Sequence, residues 1–211
     1  MKFLILFLLT GIYCIAQVPD IAKDTLNLEE VIVTNNGRKQ KTREVKIEGV
    51  CSSPEDMKDA AELITLVEEL PKGKLGSVAF YFNKIDPETL KKNSGRFKEA
   101  EFEVVLYDVD REGMPGIPSA VEMEYMVVDK AHRGKVTVNL SYLKIDTNGK
   151  MFIGLRKLSK DPENRSFLVD CLCNGQDKYT TYTRKDASSP WQRRWVCAAI
   201  KMDVDVIVPQ K

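Results

Sequence analysis

The residues best suited to ligand chemistry are aromatic and arginine side chains near the C-terminal end of the chain. They bracket the polar stretch 185–190 and are Tyr179, Tyr182, Arg184, Trp191 and Trp195. Aromatic rings offer flat, amphipathic contact surfaces to sugars and peptides, and arginine adds hydrogen-bond donors. We take these five residues as a candidate binding set. The simpler interpretation, which composition favours, is that both tryptophans flank the start of a strand and pack at the edge of the core.

A catalytic set is not recognisable in the sequence. His132 is the single histidine, it lies in a predicted turn, and no serine or cysteine motif is identifiable as its partner. General-base catalysis needs a positioned partner as well as a titratable group. Charged residues make up 30% of the chain, so any choice of two acids as a glycosidase pair is arbitrary. The sequence therefore favours a protein that is not an enzyme, with a hydrolase of unrecognised type as an alternative.

One acidic segment has the opening of a calcium-binding loop. Asp108, Asp110 and Glu112 occupy its first, third and fifth places, and Gly113 occupies the sixth. The twelfth place is Ser119, so the bidentate carboxylate that closes such a loop is missing. We predict no metal and no other cofactor, and keep calcium at Asp108, Asp110 and Glu112 as a weak alternative.

The N-terminus has the features of a secretory signal peptide. Residues 1–16 contain one lysine, an uninterrupted apolar run and small residues at Cys14 and Ala16, which predicts cleavage before Gln17. We therefore expect export, to the periplasm or to the outer-membrane or extracellular face. No other segment is long and apolar enough to be a transmembrane helix.

Cleavage would leave a chain without net charge. It removes Lys2, one of 32 basic residues, and leaves 31 basic against 31 acidic residues. This balance gives no indication of a nucleic-acid partner. The remaining cysteines are Cys51, Cys171, Cys173 and Cys197, whose disulfide state the sequence leaves open among three possible pairings. Cys171 and Cys173 share one side of a predicted strand, where core packing is the simplest role.

The elements that position these residues are predicted to be strands. Period-two alternation places one side of each strand in the core, with these inward residues: Val78, Phe80, Phe82, Phe102, Val104, Leu106, Val121, Met123, Tyr125, Val127, Val136, Val138, Leu140, Met151, Ile153 and Leu155. Some ten strands separated by turn-rich segments predict an all-β fold. We expect a single-domain antiparallel β-sandwich or jelly roll with little helix.

Several local features set the predicted boundaries. Residues 17–50 are expected to be an extended segment and linker, including a solvated basic run at 38–43, and residues 51–211 the β-sandwich domain. Ser53–Asp56 has the chemistry of a helix start. A strand from Leu63 is expected to break at Leu70–Gly73. The final run, 196–208, alternates as one strand.

The strand and turn patterns resemble a group of exported Bacteroidota proteins. The similar segments are Glu62–Asn83, Phe102–Asp110 with Gly113–Gly116, Lys135–Leu140, Phe152–Leu155, and Tyr182–Arg184 before Trp191. Members of the group are called carboxypeptidase-like regulatory domain-containing proteins, and the resemblance covers their C-terminal β module over about residues 60–208. It implies a β fold and no peptidase activity. Arg156 and Lys157 stand where members often carry an acid and a tryptophan.

A second resemblance concerns the N-terminal segment. Leu28–Thr34 resembles the stretch before the plug of TonB-dependent receptors, with Glu29, Glu30, Val31, Ile32, Val33 and Thr34 as the segment that would bind a partner. Such a peptide adds as a strand to the edge of a partner sheet. The alternative is a linker strand without a partner.

Together these features predict a non-catalytic cell-envelope binding module for a glycan, a peptide or an envelope protein. A TonB-linked accessory protein of an outer-membrane uptake system is the alternative that the N-terminal segment suggests. The oligomeric state is left open by the sequence.

Overall fold

A computed structural model describes residues 41–49, 52–56, 60–82, 100–120, 124–129, 132–158, 168–173, 179–195 and 197–209. Within these ranges the fold is antiparallel β structure with one short 3-10 helix at Ser141–Leu143, which confirms the predicted all-β class. The strands are β1 Lys41–Ile47, β2 Ser52–Asp56, β3 Glu62–Phe82, β4 Ala100–Val109, β5 Pro115–Pro118, β6 Glu124–Val128, β7 Gly134–Asn139, β8 Asp146–Lys157, β9 Leu168–Cys173, β10 Thr181–Arg184, β11 Gln192–Arg194, β12 Cys197–Ile200 and β13 Met202–Val208.

The sheet is organised around β3, which is 21 residues long. Its first part pairs with β8 and β10, and its second part pairs with β13 and β7. The register on β8 shifts on either side of Leu70, and Glu69 has a positive φ of 59°. The predicted break at Leu70–Gly73 is therefore wrong: bulges absorb Pro71 and bend the strand without ending it.

The main core lies on one face of β3, β4 and β8. Leu63, Val104 and Ile153 are fully buried in it, together with inward residues of β7 and β13. Most of the predicted inward positions are confirmed: Val78, Phe80, Phe82, Phe102, Val104, Leu106, Val138, Leu140, Met151, Ile153 and Leu155 are all buried there. Cys171 is also buried in this core, in the role expected for it.

The predicted inward positions Tyr125 and Val127 of β6 are wrong, whereas Val121 and Met123 of the same predicted face lie outside the described residues. Met126 and Val128 are buried, whereas Tyr125 is 63% exposed and Val127 is 57% exposed. The pairing with β4 explains the difference, because Met126 lies opposite core-facing Phe102. Both faces of β6 carry apolar residues, so alternation alone could not select the buried one.

The domain begins earlier than predicted. Lys41–Ile47, placed in a linker by the sequence analysis, pairs with β13 along its whole length, and Ile47 is buried in the main core. The helix expected from Ser53 is also absent, because Ser52–Asp56 is a strand on β9. Proline is tolerated in strands that have a free side, and β9 is the only described partner of β2.

The predicted final strand is two strands. Its residues divide at Lys201 into β12, which pairs with β9, and β13, which lies between β1 and β3. The Lys201 amide donates to the Asp170 carbonyl at 2.8 Å. The register of β12 on β9 also places Cys197 directly opposite Cys173.

The remaining N-terminal predictions, the signal peptide at 1–16 and the partner segment at 29–34, lie outside the described residues, as does Cys51. Among the described residues there is no helix with the length and apolar character needed to cross a membrane.

Candidate functional site

A second apolar layer covers the face of β3, β4, β8 and β10 that points away from the main core. We call this surface the outer face. Its buried residues are Ile64, Val105, Tyr107, Phe152 and Tyr182, with Leu66, Val109, Met114 and Trp191 packed against them. Phe152 and Tyr182 meet edge to face, with ring centroids 5.6 Å apart. Gly154 lets β8 approach β3 closely here, because a Cβ at this position would lie 2.0 Å from the Leu63 carbonyl oxygen.

Four charged residues form a row across the outer face. Glu103 of β4 lies opposite Arg156 of β8, Arg156 lies opposite Glu62 of β3, and Glu62 lies opposite Arg184 of β10. Residues directly opposite one another on antiparallel strands project to the same side of the sheet. The register therefore brings acids and arginines together in strict alternation. We call these four residues the charged row.

Glu62 is the centre of the charged row. Its carboxylate is buried and accepts hydrogen bonds from Arg156 Nε at 2.8 Å, from Arg184 Nη2 at 2.8 Å and 3.0 Å, and from the Tyr107 hydroxyl at 2.7 Å. Arg156 also donates to Glu103. Both carboxylate oxygens of Glu62 are thus occupied by donors from the chain itself.

These contacts keep Glu62 ionised. Burial raises the pKa of the Glu62 carboxyl, but hydrogen bonds from Arg184, Tyr107 and Arg156 outweigh burial, and the net pKa lies below its ordinary value. Burial and the bond to Glu62 raise the pKa of Tyr107 to about 12. Near neutral pH Glu62 is therefore ionised and Tyr107 is protonated, and hydrogen bonds hold both groups in place, so the row is suited to holding structure.

Arg184 connects the charged row to Trp191. Its guanidinium carbon lies 4.3 Å from the centroid of the Trp191 ring and 5.6 Å from that of Tyr107. Trp191 in turn meets Tyr107 edge to face at 5.3 Å. The Arg184 Nη1 donates to the Ala187 carbonyl at 3.0 Å, which ties the 185–190 loop to the same arginine. The orientation of Trp191 therefore depends on Glu62 through Arg184.

Trp195 extends the aromatic surface beyond the row. It is 66% exposed, and the Arg193 guanidinium carbon lies 4.4 Å from its ring centroid. Arg193 lies opposite Tyr182, on the outer face. Although Arg193 stacks on the Trp195 ring, most of the Trp195 side chain remains exposed, so a flat ligand can contact it.

The structure brings only part of the predicted binding set together. Tyr182, Arg184 and Trp191 all lie on the outer face. Tyr182 is one of its buried residues, and Trp191 packs against that buried cluster. Tyr179 instead packs against the main core. Trp195 is exposed beyond the end of β11.

Four residues of the site were missed by the sequence analysis: Glu62, Glu103, Tyr107 and Arg156. They come from three separate strands, and only the register unites them. One signal was present, since Glu103 interrupts the otherwise apolar run Phe102–Tyr107. A charge in a strand that is apolar on both faces predicts a paired, buried charge.

The weak calcium alternative maps onto the turn between β4 and β5. Asp110 accepts hydrogen bonds from the backbone amides of Glu112 and Met114, and Asp108 accepts one from Ser119. These carboxylates thus close the turn itself. Across the described part of the chain, no group of three or more His, Cys, Asp or Glu residues is placed to hold a metal ion.

A second polar cluster lies on β3, β7 and β13. The Asp203 carboxylate accepts from the Tyr81 hydroxyl at 2.8 Å and pairs with Lys135 at 2.6 Å. Burial raises the Asp203 pKa, but Lys135 and Tyr81 lower it further, so the acid stays ionised. His132, the one histidine, is partly buried in the connection between β6 and β7, three residues before Lys135.

Comparison with known proteins identifies no family for this chain. No family model matches the chain, and no curated protein matches it. Among solved structures, the cysteine protease and lectin-like domains of Cwp84, a surface layer associated protein of Clostridium difficile, match with a TM-score of 0.47 and 13% identity over 82% of this chain and 37% of that one. A clostridial Cwp84 cysteine protease after propeptide cleavage matches with a TM-score of 0.45 and 12% identity, over 80% and 40% of the two chains. The chain thus spans well under half of either structure, and a likeness at these scores carries no conclusion about its activity.

Proposed function

We propose that this protein is an exported, non-catalytic β-sandwich module that binds a glycan on its outer face. The observation that carries the proposal is the exposed Trp195 ring, which has the Arg193 guanidinium stacked on one side. Sugar rings present flat patches of C–H groups that stack on aromatic faces, with hydroxyls left for polar neighbours.

The charged row supports a binding role over a catalytic one. A general acid or nucleophile needs a free oxygen, whereas both oxygens of Glu62 already accept bonds from the chain. The row instead fixes Arg184, and through it Trp191, before a ligand arrives. Fixing the surface in advance lowers the entropy lost on binding.

The neighbouring loop adds polar groups that are also fixed in advance. Asp186 accepts hydrogen bonds from the Ser188 hydroxyl at 2.6 Å and from the Ser188 and Ser189 amides. These bonds lower the Asp186 pKa to about 2, chiefly through Ser188. The loop is exposed, and the oxygen of the Ser188 hydroxyl can still accept a hydrogen bond from a sugar hydroxyl. Export rests on the sequence of residues 1–16 alone.

The test uses the two tryptophans, which are the only ones in the chain. A glycan array identifies ligands of the purified protein. Titration of the best ligand into a Trp191→Phe variant then reports on Trp195 fluorescence alone. We expect a saturable change in that signal, and an affinity loss of about tenfold or more in Trp195→Ala.

The matched control is Tyr142→Ala, which removes an aromatic ring that is 53% exposed in the 3-10 helix. Its affinity should equal that of the unaltered protein. The proposal fails if the array is empty, if a peptide library is bound instead, or if Trp195→Ala binds as tightly as Tyr142→Ala.

A further inference from the structure

We infer that the glycan is anionic, carrying a carboxylate or a sulfate group that Arg193 recognises while its sugar ring stacks on Trp195. This inference rests on the proposed function and names the ligand class of the same surface. It follows from a difference between three arginines of the outer face.

Two of the three arginines are already engaged by acids of the chain. Arg156 donates to Glu62 and Glu103, and Arg184 donates to Glu62 with two bonds. The positive charge of each is balanced within the row, so neither presents a free cation to a ligand. The row as a whole is neutral, with two acids and two arginines.

Arg193 differs from both. Its guanidinium stacks on Trp195, and it makes no hydrogen bond or ion pair with any side chain in the described ranges. Stacking on an aromatic ring leaves the N–H donors of an arginine free at the edge of the plane. That edge matches the two oxygens of a carboxylate or sulfate, which a guanidinium binds through two parallel hydrogen bonds.

The charge of the loop and strand around Trp195 also favours an anionic ligand. Arg194 projects to the other side of β11, and the remaining charges of the stretch 185–195 are Lys185 and Arg193 against the single acid Asp186. Asp186 turns its carboxylate toward the loop's own Ser188 and Ser189 groups. The chain as a whole carries a net charge of only +1, so this loop and strand concentrate positive charge beside the exposed tryptophan.

The experiment compares sugars that differ only in charge. The probes are oligogalacturonate, the neutral galactose oligosaccharide made by reducing its carboxyl groups, and a sulfated galactose oligosaccharide. We expect the protein to bind at least one anionic probe about tenfold or more tightly than the neutral one, and raised salt to weaken only the anionic probes. The two anionic arms distinguish carboxylate from sulfate.

Variants connect the preference to Arg193. Arg193→Gln should reduce the preference for the anionic probes over the neutral probe to near unity. Arg193→Lys should keep part of it, because lysine retains the charge without the planar fork. Arg43→Gln makes the same charge change on exposed β1 and should have no effect.

The outcomes separate the two proposals. Equal affinity for the anionic and neutral probes overturns the inference and leaves glycan binding standing. A preference that survives in Arg193→Gln also overturns it. Failure of all three probes and of every glycan on the array overturns both.

Discussion

At the scale of single residues, Glu62 links the stability of the protein to pH. Its folded-state pKa is lower than the ordinary value of 4.5, so the carboxylate stabilises the folded chain at pH values above about 4.5. That contribution is lost as the pH falls through the folded-state pKa. Because Glu62 holds Arg156 and Arg184 together, its protonation also loosens the support beneath Trp191.

Replacing Glu62 with glutamine should expose this dependence. We expect Glu62→Gln to lower the free energy of unfolding at pH 7 by about 3 kcal/mol, since two partly buried arginines lose their common ionic partner. Between about pH 5 and pH 3 the unaltered protein should lose stability more steeply than the variant. Denaturant unfolding at each pH measures both effects.

Glu101→Gln provides the control, because Glu101 is an exposed residue of β4. Its unfolding curve should follow that of the unaltered protein at every pH. Parallel curves for Glu62→Gln and the unaltered protein would show that the buried carboxylate carries no pH dependence.

At the scale of elements, the bend in β3 places a strained residue in the middle of the sheet. Glu69 is exposed, yet its φ of 59° lies in the left-handed region, which costs a non-glycine residue about 1 kcal/mol. The adjacent Glu68 is equally exposed and does not have a positive φ. The difference in stability between a glycine and an alanine variant is therefore expected to have opposite signs at these two neighbouring positions.

We expect Glu69→Gly to be more stable than Glu69→Ala by about 1 kcal/mol, because glycine adopts a positive φ without a steric penalty. At position 68 the order should reverse, with Glu68→Gly less stable than Glu68→Ala by about 0.5–1 kcal/mol. Chemical denaturation of the four variants measures both differences. The same sign at both positions would rule out strain at Glu69.

The sequence predicted elements well where only one side of a strand is apolar. Alternation identified the inward residues of β7 correctly, because its apolar residues, Val136 and Val138, lie on one side of the strand. The polar residues Lys135 and Thr137 lie on the other side. It failed for β6, where apolar residues occupy both sides and only the pairing with β4 selects Met126. It also missed the continuity of β3, since Pro71 normally marks a break and bulges are not visible in a sequence.

The candidate site was predictable only in its aromatic part. Trp191 and Arg184 lie near each other in the sequence, so a cluster of aromatic and arginine residues could be predicted there. Glu62, Glu103 and Arg156 are separated by tens of residues, and their meeting is a property of strand register. A sequence without a known register cannot give such a row, because even a recognisable buried charge such as Glu103 does not show which residues it will meet.

At the scale of the whole molecule, β1 is the first described strand of the β domain and lies outside the boundary expected from sequence. It covers β13 in full register, and its Ile47 is 2% exposed in the main core. A chain that starts at residue 51, the boundary expected from sequence, would lose this strand and leave one side of β13 open.

We expect a chain starting at residue 51 to be less stable than one starting at residue 39 by about 3 kcal/mol or more, since loss of a buried isoleucine side chain alone costs about that much. Denaturant unfolding compares the two chains, and binding of a hydrophobic dye reports the uncovered strand. Equal stability would mean that β1 adds nothing to the domain.

The length of β3 also affects how the folded protein unfolds to exchange its amide hydrogens. This one strand begins at Glu62 in the charged row and ends at Phe82 in the main core, hydrogen-bonded to β8 and β10 at one end and to β13 and β7 at the other. Neither the main core nor the outer face can separate from the rest of the sheet without breaking hydrogen bonds of β3, which belongs to both. Amide hydrogens at both ends of β3 should therefore exchange with solvent through the same global opening, and a ligand held beside Trp195 would slow exchange throughout the sheet.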